Sequence, residues 1–269
     1  MKNLIIRSLT GIVVVTVILA SLFLHKYSFA GLFLLILAGC LVEYYGLLKN
    51  SPLKPNKFIG FVSGILFFVL SFLIASQLIS PIFYLTLIPV LLLTFVFELY
   101  QAHESSLQNI SATICGFFYT AVPLGLSNFL VFSGDGSYSP RLMVALLVII
   151  WVYDSGAYLF GVSFGKHRLF ERISPKKSWE GAIGGALAAM AAGWLISGFI
   201  PEIAIVHWLI IALLTVIAAT FGDLSESMLK RQFGVKDSSR FFPGHGGILD
   251  RFDSLLFAIP VLVLYIRII

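Results

Sequence analysis

The residues best suited to chemistry lie between positions 221 and 254, a stretch that reads FGDLSESMLKRQFGVKDSSRFFPGHGGILDRFDS. Apolar segments stand on both sides of it. Its charged residues are Asp223, Glu226, Lys230, Arg231, Lys236, Asp237, Arg240, Asp250, Arg251 and Asp253. Because charge is costly to place between segments that are apolar enough to span a membrane, we interpret the stretch as a functional site. The alternative is a solvated, charged loop between two membrane helices.

The spacings within this stretch favour a site for a metal ion and phosphate. Asp223, Ser227 and Lys230 stand at i, i+4 and i+7, so on a helix they share one face. Asp250 and Asp253 stand at i and i+3 and would also share a face. Carboxylates suit a hard cation, while basic groups and bare backbone amides suit phosphate.

A glycine-rich segment, PGHGG at positions 243–247, comes just before these last two aspartates. Glycines let backbone N–H groups approach a ligand closely, and a helix that starts after them would favour an anion. The segment therefore predicts a place for phosphate beside the carboxylates.

The same stretch resembles a family signature. From Ser227 to Asp253 it reads SxxKRxxxxKDxxxxxPxHGGxxDRxD, which resembles the signature of the phosphatidate cytidylyltransferases. Two upstream segments are similar to that family as well, DSGAY at 154–158 and SPKKSWEG at 174–181. The resemblance is specific from about Trp151 to Ser254, and the N-terminal half matches only as a hydrophobic multi-span region.

The resemblance implies that the chain transfers CMP from CTP to phosphatidate, giving CDP-diacylglycerol and pyrophosphate, with Mg²⁺ as the divalent metal. Asp223 and Asp250 are then the expected metal ligands, with Asp253 and Asp154 as further ligands or supporting groups. Lys230 and His245 complete the expected catalytic set, and His245 with Gly246 and Gly247 would orient the leaving pyrophosphate. The remaining residues expected to bind substrate phosphates are Arg231, Lys236, Ser174, Lys176, Lys177 and Ser227.

Two other functions stay open at this point. A CDP-alcohol phosphotransferase also handles CDP-lipids in a membrane, but its repeated Asp pattern is absent from this sequence. An ion-coupled secondary transporter would use intramembrane carboxylates, but such proteins tend to show repeat-related broken helices. Here the charges concentrate in the C-terminal half.

Composition predicts an all-α, polytopic integral membrane protein without a soluble domain. Of the 269 residues, 59% are hydrophobic and only 12% are charged, whereas a soluble domain has about 25% charged residues. The net charge of +5 is better explained by cytoplasmic loops and phosphate ligands than by nucleic-acid binding. Cys40 and Cys115 lie in apolar runs without metal-type spacing, which predicts neither a disulfide framework nor a zinc site.

Nine membrane spans are predicted from the length that a bilayer requires. They are 5–24, 28–48, 58–78, 80–100, 110–132, 142–163, 181–200, 203–223 and 250–268. We interpret the first as a membrane helix, since it is too long for a typical signal peptide and many spans follow. The predicted division is an N-terminal scaffold of lipid-facing helices (1–140) and a C-terminal catalytic region (141–269) that contains the signature at 221–254.

Three features within the spans carry further expectations. Gly181, Gly185 and Gly193 form a small-residue ladder, which predicts close helix packing within the chain or in a homodimer. Asp154, inside an apolar run, should face a cavity and a partner. Glu43 and Glu98, near span ends, are interpreted as reaching the membrane interface.

The loop from Gly165 to Glu180 is basic, and it is predicted to bind phosphate through its ammonium and hydroxyl groups. Ordinary cytoplasmic loops are also basic and attract anionic lipid headgroups, so that interpretation stays open.

The distribution of Lys and Arg predicts the orientation. With nine spans, fifteen of the 18 Lys and Arg residues fall on the side of the N-terminus and of the signature. By the positive-inside rule that side faces the cytoplasm. We therefore expect the protein in the inner or plasma membrane of the cell, with its site on the cytoplasmic side.

Reporter fusions test this orientation directly. We expect fusions at Ser51 and Ser238 to report the cytoplasm and a fusion at Gly136 to report the outside, since the Lys and Arg bias sets overall topology. An exterior signal at Ser238 would contradict both the span count and the predicted side of the site.

Overall fold

The structure is a computed structural model that describes residues 2–101, 103–239, 241 and 246–269, with the side chains of residues 2–8 and 50 also outside the description. Its backbone divides into two compact units. The first consists of Met1–Pro140 with Phe233–Arg251, and the second consists of Arg141–Gln232 with Phe252–Ile269. The first break, between 140 and 141, is also the boundary predicted from the sequence. The segment Phe233–Arg251, however, groups with the N-terminal half.

The first unit is helical. Its helices are α1 (Lys2–Leu24), α2 (Lys26–Leu47), α3 (Lys57–Ala75), α4 (Leu87–Gln101), α5 (Ser106–Gly116), α6 (Val122–Leu126) and α7 (Asn128–Val131). A 3₁₀ segment, Pro81–Thr86, leads into α4, and a π-helical turn, Phe117–Ala121, joins α5 to α6. Helices form on these apolar runs because backbone groups in lipid must find their hydrogen bonds within the segment.

Helix α2 lies at the centre of the first unit. Phe29, Phe33, Leu37 and Leu41 on this helix are fully buried. The hydroxyl of Tyr45 donates a hydrogen bond to the Thr113 carbonyl on α5 at 3.1 Å. A central α2 therefore ties α5 to the rest of the unit through both packing and hydrogen bonds.

Glu98 is buried, which corrects the interpretation that it reaches the membrane interface. Only 6% of the residue is exposed. Its Oε1 atom accepts a hydrogen bond from Asn109 Nδ2 at 2.7 Å and lies 2.9 Å from His103 Nδ1. The Asn109 side chain in turn accepts from the Lys54 backbone N–H at 2.7 Å. The carboxylate stays in the interior because these polar groups satisfy it there.

The second unit contains a helical core and one β-hairpin. Its elements are α8 (Arg141–Phe164), β1 (Arg168–Phe170), β2 (Ser174–Ser178), α9 (Trp179–Ser197), α10 (Ile205–Gln232) and most of α11 (Leu249–Ile268), which begins in the first unit. The antiparallel pair β1–β2 occupies the segment predicted as a basic loop. The Glu180 carboxylate closes this hairpin by accepting hydrogen bonds from the backbone N–H groups of Lys166 and His167.

The small-residue ladder packs within the chain. A Cβ on Gly181 would lie 2.7 Å from the Ala157 carbonyl oxygen, and one on Gly185 would lie 2.7 Å from the Tyr153 carbonyl oxygen, both on α8. Further along α9, a Cβ on Gly193 would lie 2.9 Å from the Trp208 carbonyl oxygen on α10. Close packing is confirmed, and α9 packs against both α8 and α10.

The helices confirm an all-α, multi-pass membrane protein. Seven helical segments of the described chain are long and apolar enough to cross a membrane: Lys26–Leu47, Lys57–Ala75, Pro81–Gln101, Ser106–Val131, Arg141–Phe164, Trp179–Ser197 and Ile205–Gln232. Leu9–Leu24 is a shorter apolar helix, and α11 carries four charged residues. All nine predicted spans thus coincide with helical segments, although 110–132 begins earlier, at Ser106, and contains the π-helical turn.

We predict that Gly185→Leu lowers the thermal stability and the yield of the purified protein. The new side chain would meet backbone atoms of α8, which cannot move aside as a flexible side chain can, and overpacking of this kind costs about 1–3 kcal/mol. The measurement is the melting temperature in detergent. Gly31→Leu is the matched control, because Gly31 on α2 has no atom within 4 Å of a Cβ. Equal melting temperatures for the two variants would contradict the packing.

Candidate functional site

Four of the predicted site residues in the second unit form a charged cluster, which we call the carboxylate cluster: Asp154, Lys177, Asp223 and Asp253. The Nζ atom of Lys177 on β2 lies 2.5 Å from Oδ2 of Asp223 on α10. Both side chains are about one-third exposed. This ion pair joins the SPKKS segment to the start of the signature, two regions that are 46 positions apart in the sequence.

Asp253 lies beside Asp223 because α10 and α11 approach closely at Gly222. A Cβ on Gly222 would lie 2.5 Å from the Asp253 carbonyl oxygen. The hydroxyl of Ser254 donates to the Ala219 carbonyl at 3.4 Å and reinforces the same contact. Electrostatic interactions connect the Asp253 carboxylate with Asp223, Asp154 and Lys177. The cluster therefore combines three carboxylates with one ammonium group.

Helix α8 supplies the remaining wall of the cluster. The hydroxyl of Tyr153 is 2.5 Å from the hydroxyl of Thr220 on α10 and fixes the two helices at this level. Asp154, the next residue, is exposed, and its charge acts on both Tyr153 and Asp253.

The cluster offers carboxylate oxygens, which are the type of ligand atom that a hard cation binds. Carboxylate oxygens are the ligands that Mg²⁺ takes from proteins, and three carboxylates against one ammonium leave a negative excess. Lys177 already supplies a positive charge to Asp223. Among the described residues, no group of three or more His, Cys, Asp or Glu side chains is arranged to bind a metal ion. The chemistry thus fits magnesium, while the complete ligand set stays a prediction.

Asp250 belongs to the first unit, where it braces the segment Phe233–Arg251, which we call the motif loop. Its Oδ2 atom accepts three hydrogen bonds, from the backbone N–H of Ser238 at 3.0 Å, from the Ser238 hydroxyl at 2.9 Å and from the backbone N–H of Gly247 at 2.7 Å. The predicted role of Asp250 as a metal ligand is not tested by this arrangement. Its observed role is to hold the loop.

The two described glycines of the motif allow carboxylates to approach the backbone. Gly246 has a φ of +81°, and a Cβ there would lie 2.5 Å from Asp250 Oδ2. Gly247 is buried, and a Cβ there would collide with the Glu43 carboxylate and the Ser238 hydroxyl. Any side chain at either position would displace the groups that shape the loop.

Glu43 is the functional residue that the sequence interpretation missed. It lies on α2 with 6% of its surface exposed, so it does not reach the membrane interface as expected. Its carboxylate accepts hydrogen bonds from the motif loop instead. A signal was present in the sequence: a carboxylate inside an apolar span with no Lys or Arg one turn away requires another partner.

The remaining predicted phosphate-binding residues are dispersed. Lys230 is buried and forms an ion pair with Glu226, one turn earlier on α10. Ser227 instead donates a hydrogen bond to Asp223 Oδ1 at 3.3 Å. Lys176, Arg231 and Lys236 are exposed, and Ser174 is half-buried on β2. His245, with Pro243 and Gly244, lies outside the described residues.

Three known proteins that are similar to this chain carry the name phosphatidate cytidylyltransferase. The Haemophilus influenzae protein is 42% identical over 134 residues, which is 48% of this chain and 46% of that protein. The Staphylococcus haemolyticus protein is 43% identical over 154 residues, covering 56% and 57% of the two chains. The Brucella suis protein is 42% identical over 151 residues, covering 56% and 55%. The matched region spans about half the length of these relatives.

The family match covers nearly the whole chain. The model of the family described as "Cytidylyltransferase family" matches residues 5–269. It includes both the carboxylate cluster and the motif loop. The chain belongs to the cytidylyltransferase family.

Proposed function

We propose that this chain is a phosphatidate cytidylyltransferase that transfers CMP from CTP to phosphatidate in phospholipid biosynthesis. Family membership and the names of its relatives support this function. The structural observation that carries it is the Lys177–Asp223 ion pair, because it joins two separate signature segments into one charged cluster suited to a cation and to phosphates.

In the proposed reaction, a phosphate oxygen of phosphatidate forms a bond to the α-phosphorus of CTP. The bond from that phosphorus to the bridging oxygen breaks, and pyrophosphate leaves with the electron pair. The attacking oxygen is ionised near neutral pH, so a strong general base is not required. What the site must supply is alignment of two anions and relief of their repulsion.

The residues of the cluster suit this task. Lys177 offers a fixed positive charge to an incoming phosphate, and Asp223 holds that ammonium group in position. Asp223, assisted by Asp253 or Asp154, would hold Mg²⁺, which when bound neutralises negative charge on the nucleotide phosphates. The exposed Arg231, Lys236 and Lys176 would attract the anionic substrates from solution.

The proposed location is the inner or plasma membrane, with the site on the cytoplasmic side, where CTP is available. The bias of Lys and Arg toward the loops on that side supports this orientation. Phosphatidate would then enter from the membrane and CTP from the cytoplasm.

The function is tested with purified protein, phosphatidate and each of the four ribonucleotides, by measuring pyrophosphate release. We expect pyrophosphate release with CTP but with none of the other three ribonucleotides. This release should occur only when phosphatidate is present. Release of CMP from CDP-diacylglycerol with an alcohol acceptor would instead identify a CDP-alcohol phosphotransferase. Ion-dependent uptake into liposomes without nucleotide turnover would identify a transporter.

We predict that Asp223→Asn lowers kcat by about 100- to 1,000-fold, the effect typical of losing one group that stabilises transition-state charge. The change keeps the shape of the side chain but removes the charge that both Lys177 and a hard cation require. Pyrophosphate release is measured against Mg²⁺ concentration, with Asp250→Asn expected to show a comparable loss. Asp237→Asn is the control, since Asp237 is exposed. A normal rate and Mg²⁺ dependence for Asp223→Asn would contradict the assignment.

A second prediction compares two adjacent lysines. We expect Lys177→Met to lower kcat/KM for CTP by about 100-fold, because it removes a charged hydrogen-bonding group from the cluster. Lys176→Met should lower it by less than about ten-fold, since the Lys176 side chain is exposed and screened by solvent. Equal losses in the two variants would indicate that the hairpin contributes only general positive charge.

A further inference from the structure

We infer that Glu43 is a positioning residue of the enzyme, which holds the motif loop in place from the N-terminal half of the chain. Its importance for turnover rests on the proposed function, whereas its hold on the loop does not. The sequence resemblance covers the region from about Trp151 onward and gives no role to Glu43.

Four donors from the motif loop point at the Glu43 carboxylate. Oε1 accepts from the Ser239 hydroxyl at 2.6 Å and from the backbone N–H of Ile248 at 2.8 Å. Oε2 accepts from the Ser238 hydroxyl at 2.7 Å and from the backbone N–H of Leu249 at 2.7 Å. The carboxylate thus contacts the loop on both sides of the glycine-rich segment and draws its two ends together.

Two of these donors belong to the start of α11. The first backbone N–H groups of a helix have no partner within the helix, and a side chain next to them in sequence usually caps them. Here the caps of Ile248 and Leu249 come from a residue about 200 positions earlier. A negative charge at this end of α11 is also favoured by the helix dipole. Glu43 therefore helps to determine where α11 begins.

The Ser238 hydroxyl connects Glu43 with Asp250. It lies 2.7 Å from Glu43 Oε2 and 2.9 Å from Asp250 Oδ2. Because the hydroxyl has a single proton, the two carboxylates share it, and the position of one constrains the other. Glu43 thereby fixes the side chain of Asp250, whose replacement by Asn is expected to lower turnover, without being required to touch substrate.

Glutamine cannot replace Glu43 in this arrangement. Each carboxylate oxygen accepts one serine hydroxyl and one backbone N–H. An amide NH₂ in place of either oxygen could donate to the serine, whose hydroxyl can rotate and accept. It cannot accept from the backbone N–H, so one buried donor would be left unsatisfied.

The test compares Glu43→Gln with Glu98→Gln in detergent-purified protein. Glu98 is the matched control, because it is equally buried in the same unit but bonds Asn109 and His103 rather than the motif loop. Trypsin cleavage after Lys236 and Arg240 reports opening of the loop, and cleavage after Arg172 in the hairpin serves as the internal reference.

We expect Glu43→Gln to speed cleavage at the loop sites by about ten-fold or more relative to the hairpin, as local opening becomes more frequent. Glu98→Gln should leave this ratio unchanged. In the turnover assay, Glu43→Gln should lower kcat by about 10- to 100-fold, with KM for phosphatidate changed by less than about three-fold, because misplacement of the site affects chemistry more than lipid binding.

The outcomes separate the two proposals. Loop opening in Glu43→Gln, combined with a wild-type protein that releases no pyrophosphate, would support the positioning role and overturn the proposed function. Wild-type cleavage and wild-type kcat in Glu43→Gln would overturn the positioning role. An equal loss of kcat in both variants without loop opening would also overturn it, since that result indicates a general effect of a buried glutamate.

Ser238→Ala provides the same test if Glu43→Gln does not accumulate as a folded protein. It removes the shared hydroxyl without leaving a backbone N–H of α11 unsatisfied. We expect a smaller increase in loop cleavage, about three-fold, and a corresponding loss in kcat. Cleavage and kcat equal to those of the wild type would contradict the role of the hydroxyl in coupling Glu43 to Asp250.

Discussion

A carboxylate buried among apolar helices must have its oxygens satisfied, and this requirement organises the polar contacts of the protein. Glu43 and Glu98 are both buried, and each binds donors from another segment of the chain. Leaving one such group unsatisfied costs about 1–3 kcal/mol, which is a large share of the stability of a typical protein. These two glutamates therefore act as fixed points around which the loops and helix ends are arranged.

Glycines allow segments of the chain to approach each other closely beside the charged residues. Gly247 lets the Glu43 carboxylate reach the loop backbone, and Gly222 lets α10 lie against α11 at the level of Asp223. Gly181 and Gly185 bring α9 against α8. The hairpin that connects these two helices carries Lys177 on its strand β2. In each case the glycine allows the close approach, and a charged side chain nearby makes the polar contacts there.

The helical framework could be predicted from the sequence because it follows from hydropathy and length. Apolar runs of about 20 residues allow little but membrane helices, and the predicted 142–163 corresponds to Arg141–Phe164. The π-helical turn at Phe117–Ala121 and the β1–β2 hairpin were missed, since both depend on local hydrogen bonding that composition does not reveal.

The site was predicted in part. Asp223, Asp253, Asp154 and Lys177 could be singled out from local spacing and resemblance, and the structure brings them together. The pairing of Lys230 with Glu226 was available as an i, i+4 spacing and was overlooked. The contact between Glu43 and the motif loop was not available, because no periodicity within a single sequence connects residues about 200 positions apart.

The charge balance of the carboxylate cluster determines what it can bind. Three carboxylates and one lysine repel a free anion, so a nucleotide triphosphate approaches favourably only if positive charge arrives with it or is already in place. In the proposed function, a divalent cation held by these carboxylates would offset the excess, so that Lys177, positioned by Asp223, could contact a nucleotide phosphate. The Lys177–Asp223 ion pair joins two signature segments and sets the position of the lysine that is proposed to bind phosphate. A lysine suits this position better than a neutral donor, because its charge offsets that of a carboxylate and attracts a phosphate.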